Sequence, residues 1–226
     1  MPTETIIAQI GNFTAFDTRL ALYMLASLLV GMITREYARA RTADRLHDPT
    51  PRLWGRLSLQ PRAWFDPFGS GLVPGLLAVL WAAGVTVIPT AYGKPAPVDP
   101  SYLRHHPRDV VMVSLAGPLA TLALGVVGGV VLRVGGASLP TELQWLLVVF
   151  TYTCMGLTVF HLLPIPGLDG ARLVALTLPP QAAQVYRNAD KYLALFVLVI
   201  LFLFGSVVLS AITNALCGLA VGGTCL

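Results

Sequence analysis

Four uncharged stretches dominate the hydrophobic pattern of the chain: Phe68 to Gly93, Val110 to Leu132, Leu143 to Leu168, and Tyr192 onward. Each is long enough to cross a bilayer core of about 30 Å as a helix, which takes about 20 residues. A fifth, Leu20 to Ile33, is apolar for 14 residues and then runs into Arg35, Glu36, Arg39 and Arg41. Its apolar part gives only about 21 Å of helix at 1.5 Å per residue, so it spans only if charged turns enter the membrane. The pattern predicts an all-α polytopic membrane protein with about five transmembrane helices, one domain covering residues 1–226.

Breakers between these stretches predict the rest. Residues 1–18 form a short lead, interfacial through Ile6, Ile7 and Ile10. Leu53-Trp54-Gly55-Arg56-Leu57-Ser58-Leu59 alternates in a way that predicts a short β element after helix one. Pro74 and Pro89 predict a second helix that is bent or partly re-entrant. Lys94-Pro95-Ala96-Pro97-Val98-Asp99-Pro100 is too proline-rich for helix and should lie extended. Gly125 and Gly129, four apart, predict close helix packing. Leu163-Pro164-Ile165-Pro166-Gly167-Leu168-Asp169-Gly170 must end the fourth helix beside an acidic residue, which is tolerated only inside protein or along a cavity.

Composition agrees: of 226 residues, 55% are hydrophobic and 12% charged, with mean hydropathy +0.72, unlike a water-soluble domain of this size. The N-terminus has Glu4 and no basic flank, so the first helix should act as its own insertion signal. The net charge of +4 is spread over loops without a basic block, which argues against nucleic-acid binding. In a five-helix arrangement the loop from Arg35 to Arg62 and Arg133 lie on one side. Arg19, Lys94, Arg104, Arg108, Arg172, Arg187 and Lys191 lie on the other, a near balance that leaves orientation open. Cys154 sits in an apolar run. Cys217 and Cys225 lie in a Gly-rich tail without CxxC spacing and read as small membrane-helix residues in preference to a disulfide.

The charges on helix one admit two readings. Arginines near a helix end can snorkel into headgroups. Alternatively Arg35, Glu36 and Arg39 lie inside, where Arg35 and Arg39 share one face and Glu36 is three residues before Arg39, so a local ion cluster is available. Asp169, at the end of another apolar stretch, is a natural counter-charge.

Several separated stretches resemble the site-2 protease family of intramembrane zinc metalloproteases, in its short form without a regulatory domain. Arg35-Glu36-Tyr37-Ala38-Arg39-Ala40 occupies the place of the family's HExxH. Asp48-Pro49-Thr50-Pro51-Arg52-Leu53 and Gly55-Arg56-Leu57-Ser58-Leu59 resemble the family's next segment, and Trp64-Phe65-Asp66-Pro67 stands where a His-containing version is usual. Gly93 to Val98, Ala116-Gly117-Pro118-Leu119-Ala120 and Phe160 to Gly170 complete a match over about residues 20–175.

The resemblance implies that two histidines and the Asp-Gly aspartate hold zinc while the glutamate of the motif takes a proton from metal-bound water. Carried over, Arg35, Arg39 and Asp169 take the former metal-ligand positions and Glu36 the general-base position. Arginine stays protonated and offers no lone pair, so it cannot ligate zinc. His161 replaces the family's usual Asn; with Trp64 it is a candidate cleft residue, while His47, His105 and His106 lie in loops. Zinc with two neutral histidines and two carboxylates sums to zero charge, and so do two arginines with the same carboxylates. The expectation is therefore a metal-free, inactive relative, a multi-pass protein of the cell membrane that binds a transmembrane partner or substrate within the lipid bilayer. An active zinc endopeptidase and a structural subunit of a membrane complex are the alternatives.

Overall fold

The computed structural model describes residues 18–82, 88–188, 206–223 and 225. Among the described residues, three helices are long and apolar enough to cross a membrane: α1 (Thr18–Arg45), α5 (Arg108–Gly135) and α6 (Thr141–His161). Short helices α2 (Thr50–Leu53), α3 (Pro61–Trp64), α4 (Val73–Ala82), α7 (Asp169–Ala175) and α8 (Pro180–Arg187) lie between and after them, and α9 (Ser206–Val221) comes last. A π-helical turn, Pro67–Leu72, leads into α4.

Helix α6 is the axis of the bundle. From Val148 to His161 nearly every side chain is buried, against Met24, Leu28 and Leu77 through Leu157 and against Leu132 and Cys217 through Met155. Small residues let the backbones close in. A Cβ on Gly31 would lie 2.6 Å from Leu157, one on Gly129 2.6 Å from Ala220, and one on Gly125 3.0 Å from Met155, so the glycine spacing of α5 is a packing device. At one end, Arg19 and Tyr23 of α1 both bond Glu142 at the start of α6, at 3.0 and 2.9 Å. At the other, Ala43 of α1 packs with Leu103 and with Val113 of α5. Helix α1 thus runs parallel to α6 and antiparallel to α5.

Three expectations need correction. Leu53–Leu59 is not a strand, and the described residues contain none. Pro51 is pre-set for the first turn of α2, and Gly55 at φ +64° ends it, with Gly55 N bonded to Arg52 O and Arg56 N to Pro51 O. These local bonds satisfy the backbone, so no partner strand is needed. The count of five spanning helices is likewise not supported. Helix α4 is described as far as Ala82. The chain then returns to its starting level: Tyr92 N donates to Gly69 O at 3.1 Å and Ser70 Oγ to Tyr92 O at 3.0 Å. A Cβ on Gly69 would overlap Tyr92, so this closure needs glycine. The segment predicted to span from Phe68 is a hairpin, in keeping with a re-entrant path. The interfacial lead of residues 1–18, apart from Thr18, and residues 192–205 of the predicted span from Tyr192 lie outside the described residues. Finally, Cys217 and Cys225 form a disulfide that ties the chain after α9 back onto that helix, among Leu132, Val148 and Val221.

The hairpin redistributes charge. With no crossing between Pro67 and Tyr92, Arg41, Arg45, Arg52, Arg56, Arg62, Lys94, Arg104 and Arg108 gather at one end of the bundle, while Arg19 and Arg133 mark the other. The even split of the five-helix arrangement disappears.

Candidate functional site

Arg35, Glu36 and Arg39 are buried at 4%, 1% and 2% exposure, one helical turn apart on α1, facing the first residue of α7, Asp169, at 1%. The snorkelling reading is therefore excluded: these guanidinium groups are inside. Arg35 Nη1 donates to Glu36 Oε1, and its Nη2 donates to Asp169 Oδ2 at 2.5 Å. Arg39 Nη1 donates to Glu36 Oε2 at 3.2 Å, and its Nε lies 3.3 Å from Asp169 Oδ1. Four charges thus close a ring between α1 and α7, each carboxylate held by both arginines.

Local sequence builds this ring. Gly167, at φ +97°, turns the chain after α6, and a Cβ on Gly170 would overlap the Leu162 carbonyl, so the two glycines bring Asp169 back beneath α6. On the opposite side Gly117 of α5 provides the bed for the arginine stems: a Cβ there would lie 2.9 Å from Arg35 Cγ and 3.1 Å from Arg39 Cδ. The extended stretch after the hairpin closes the last side. Ala96 N donates to Glu36 Oε2 at 2.9 Å, Lys94 N to Trp64 O at 2.9 Å, and Asp99 N to buried Asp48 at 2.8 Å. Burial alone would raise the Asp169 carboxyl, but Arg39 and Arg35 outweigh it and hold it below the usual aspartate range. Arg172, one turn along α7, is pushed down to about 10, chiefly by the positive charge of Arg39 and then by burial.

Two named proteins match most of this chain. It is 29% identical over 213 residues to "Putative zinc metalloprotease YwhC" of Bacillus subtilis, covering 90% of this chain and 91% of that one. It is 32% identical over 178 residues to "Putative zinc metalloprotease Rip2" of Mycobacterium tuberculosis, covering 78% of this chain and 65% of that longer relative. These matches support a site-2 protease-like family. No protein-family model and no solved structure matches it.

The residues at this site-2-protease-like centre do not fit zinc. Among the described residues no three His, Cys, Asp or Glu side chains converge as a ligand set, and Arg35 and Arg39 have no lone pair to donate. Both carboxylates are occupied by guanidinium groups as well. His161 is buried and close enough to interact electrostatically with Arg35, Asp169 and Arg39. Its Nδ1 donates to Leu157 O at 2.8 Å, and its buried Nε2 has no hydrogen-bond partner. Arg39 Nη2 is also buried and unpartnered.

Trp64 is buried but braces the wall: its indole N–H donates to Ser58 O at 2.7 Å, Arg56 stacks 5.4 Å from its ring centroid, and it packs on Met32, Ile33, Ala40 and Ala96. His47, His105 and His106 are exposed and away from the ring, His105 facing Asp109 at 3.6 Å. Sequence reasoning missed the Ala96 N–H, the Gly117 bed and Arg172. A signal existed for the first, because between Pro95 and Pro97 only Ala96 retains a donor. Arg172 was visible as a basic residue one turn after Asp169.

Proposed function

We propose that this chain is a catalytically inactive member of its group, in which two guanidinium groups take the electrostatic place of a metal and lock α1 to α7, leaving a membrane scaffold that holds a transmembrane partner without cutting it. The observation that carries this reading is the occupancy of Glu36. Its Oε1 accepts from Arg35 and its Oε2 from both Arg39 and Ala96 N. A general base needs a free lone pair within reach of the water it deprotonates, and three donors from the surrounding protein already occupy this carboxylate.

A partner has no edge strand to extend at Leu53–Leu59, which is a helix end and turn. The extended Gly93–Asp99 stretch is a poor substitute, because its inward N–H groups are bonded and Pro95 and Pro97 block the other edge. Support for a helical partner comes instead from the outer face of α5, where Leu119, Val126, Val127, Val130 and Val134 are 42–82% exposed. The basic end, by the positive-inside rule, faces the cytoplasm.

Zinc analysis with a cleavage assay tests this. Purified wild type should carry no stoichiometric zinc and cleave no membrane substrate, and the double variant Arg35→His with Arg39→His should gain zinc. Stoichiometric zinc in the wild type, lost on chelation together with cleavage, would overturn the proposal.

A further inference from the structure

Below the hairpin, at the basic end of the bundle, a cavity of about 320 Å³ opens to the surroundings between Pro61, Arg62, Phe65, Pro67 and Lys94. Arg62 and Lys94 are both exposed at its rim, and neither is engaged by a carboxylate. Asp66, the nearest acidic residue in sequence, has its carboxylate turned to the helix start, accepting from Phe68 N and Gly69 N at 3.0 and 2.7 Å. The rest of the lining is proline and phenylalanine, so the cavity joins an apolar floor to a cationic rim.

The floor continues into an apolar stripe. Phe65 packs beside the π-helical turn, its ring tip 3.6 Å from where a Gly71 Cβ would sit. From there Phe68, Leu72, Leu76 and Val79 recur at spacings of four, four and three, exposed by 47%, 60%, 58% and 57%, one outward line on the hairpin. Trp54, Tyr92 and Tyr102 are exposed at the same end of the bundle, and amphipathic aromatics collect at headgroup depth. Two cations at that depth above an apolar track match one ligand class in both charge and shape.

We infer that this groove binds an anionic phospholipid, its phosphate held by Arg62 and Lys94 and an acyl chain lying along Phe68, Leu72, Leu76 and Val79. The site is separate from the Arg35–Asp169 ring and does not depend on whether the protein cleaves. Bound lipid would brace the hairpin whose returning segment carries Ala96 to Glu36, coupling leaflet composition to the closure of the site.

Native mass spectrometry of the full chain in a non-ionic detergent tests it, titrating dioleoyl phosphatidylglycerol against dioleoyl phosphatidylcholine. Two cations near a headgroup predict a preference for the anionic lipid of about tenfold or more. Arg62→Gln with Lys94→Gln should abolish that preference, whereas Arg104→Gln, an exposed cation at the same end, should keep it. Leu72→Asn with Leu76→Asn should weaken both lipids and leave their ratio intact. Equal binding of the two lipids by wild type, or an undiminished preference in the Arg62/Lys94 variant, would overturn the site. Displacement of the lipid by millimolar inorganic phosphate alone would overturn the acyl-chain part by showing that the rim recognises phosphate and nothing more.

Discussion

Within the reach of one helix, arginines and carboxylates form two clusters with different consequences. Arg35, Glu36 and Arg39 meet Asp169 inside the bundle, with side chains no more than 5% accessible. A little further along α1, Asp44 receives Arg41 at 3.2 Å and Arg52 at 3.0 Å, and those arginines are 44% and 69% accessible. The residue types and distances are nearly the same. Asp44 is itself only 5% accessible, so the difference lies with the arginines: water reaches and screens the outer guanidinium groups, so breaking one pair costs little, whereas the inner ring has no solvent to replace a lost partner. A buried ring need not add much net stability over an apolar replacement, yet it makes each of its members indispensable to the others.

Four substitutions probe that contrast, in descending order of expected effect. Arg35→Ala strands Glu36 and Asp169 with one cation between them and should cost about 3–5 kcal/mol, read as loss of folded protein or a large drop in melting temperature in detergent. An unchanged melting temperature would mean the ring is not a buried network. Ala96→Pro keeps the ring but deletes the N–H that caps Glu36; a hydrogen bond to a charged group predicts a loss of about 1.5–3 kcal/mol, measurable by denaturant titration. Gly117→Ala pushes a methyl into the arginine stems and should cost about 1–3 kcal/mol by overpacking, with a double-mutant cycle against Arg39→Lys revealing coupling if the contact is real. Arg52→Gln, the outer control, should leave the melting temperature within experimental scatter; a loss comparable to that of Arg35→Ala would erase the distinction between the clusters.

The inner cluster was largely readable before the structure. Arg35 and Arg39 at a spacing of four, Glu36 between them, and an acidic Asp-Gly turn ending another apolar stretch contain the whole ring, because charges that enter an apolar span must find partners and few were on offer. Pro74 and Pro89 pointed to a bent or partly re-entrant path, but the full return of the hairpin was not decided by the sequence. An uncharged run such as Phe68–Gly93 has the hydropathy of a span whether it crosses or folds back, and the decision lies in the Gly69–Tyr92 backbone bond. The alternation in Leu53–Leu59 misled for a related reason, since Pro51 and Gly55 set local dihedrals that period-two patterning ignores. The Cys217–Cys225 bridge needed the two sulfurs to be brought together by the chain turning back after α9, which spacing alone does not reveal.

By itself, then, the order of residues determined the membrane solvent, the helical secondary structure and the chemical incapacity of positions 35 and 39 to hold a metal, all of which stem from side-chain composition and local backbone rules. Only the tertiary structure decided that α1 buries its charges inside the bundle, that the basic loops share one end, and that the Ala96 N–H and the Gly117 surface complete the ring. Those outcomes depend on which distant segments come within hydrogen-bonding and packing distance, and distances of about 3 Å between residues 60 or 134 positions apart are fixed by how helices pack, a property of the whole chain and of no local stretch.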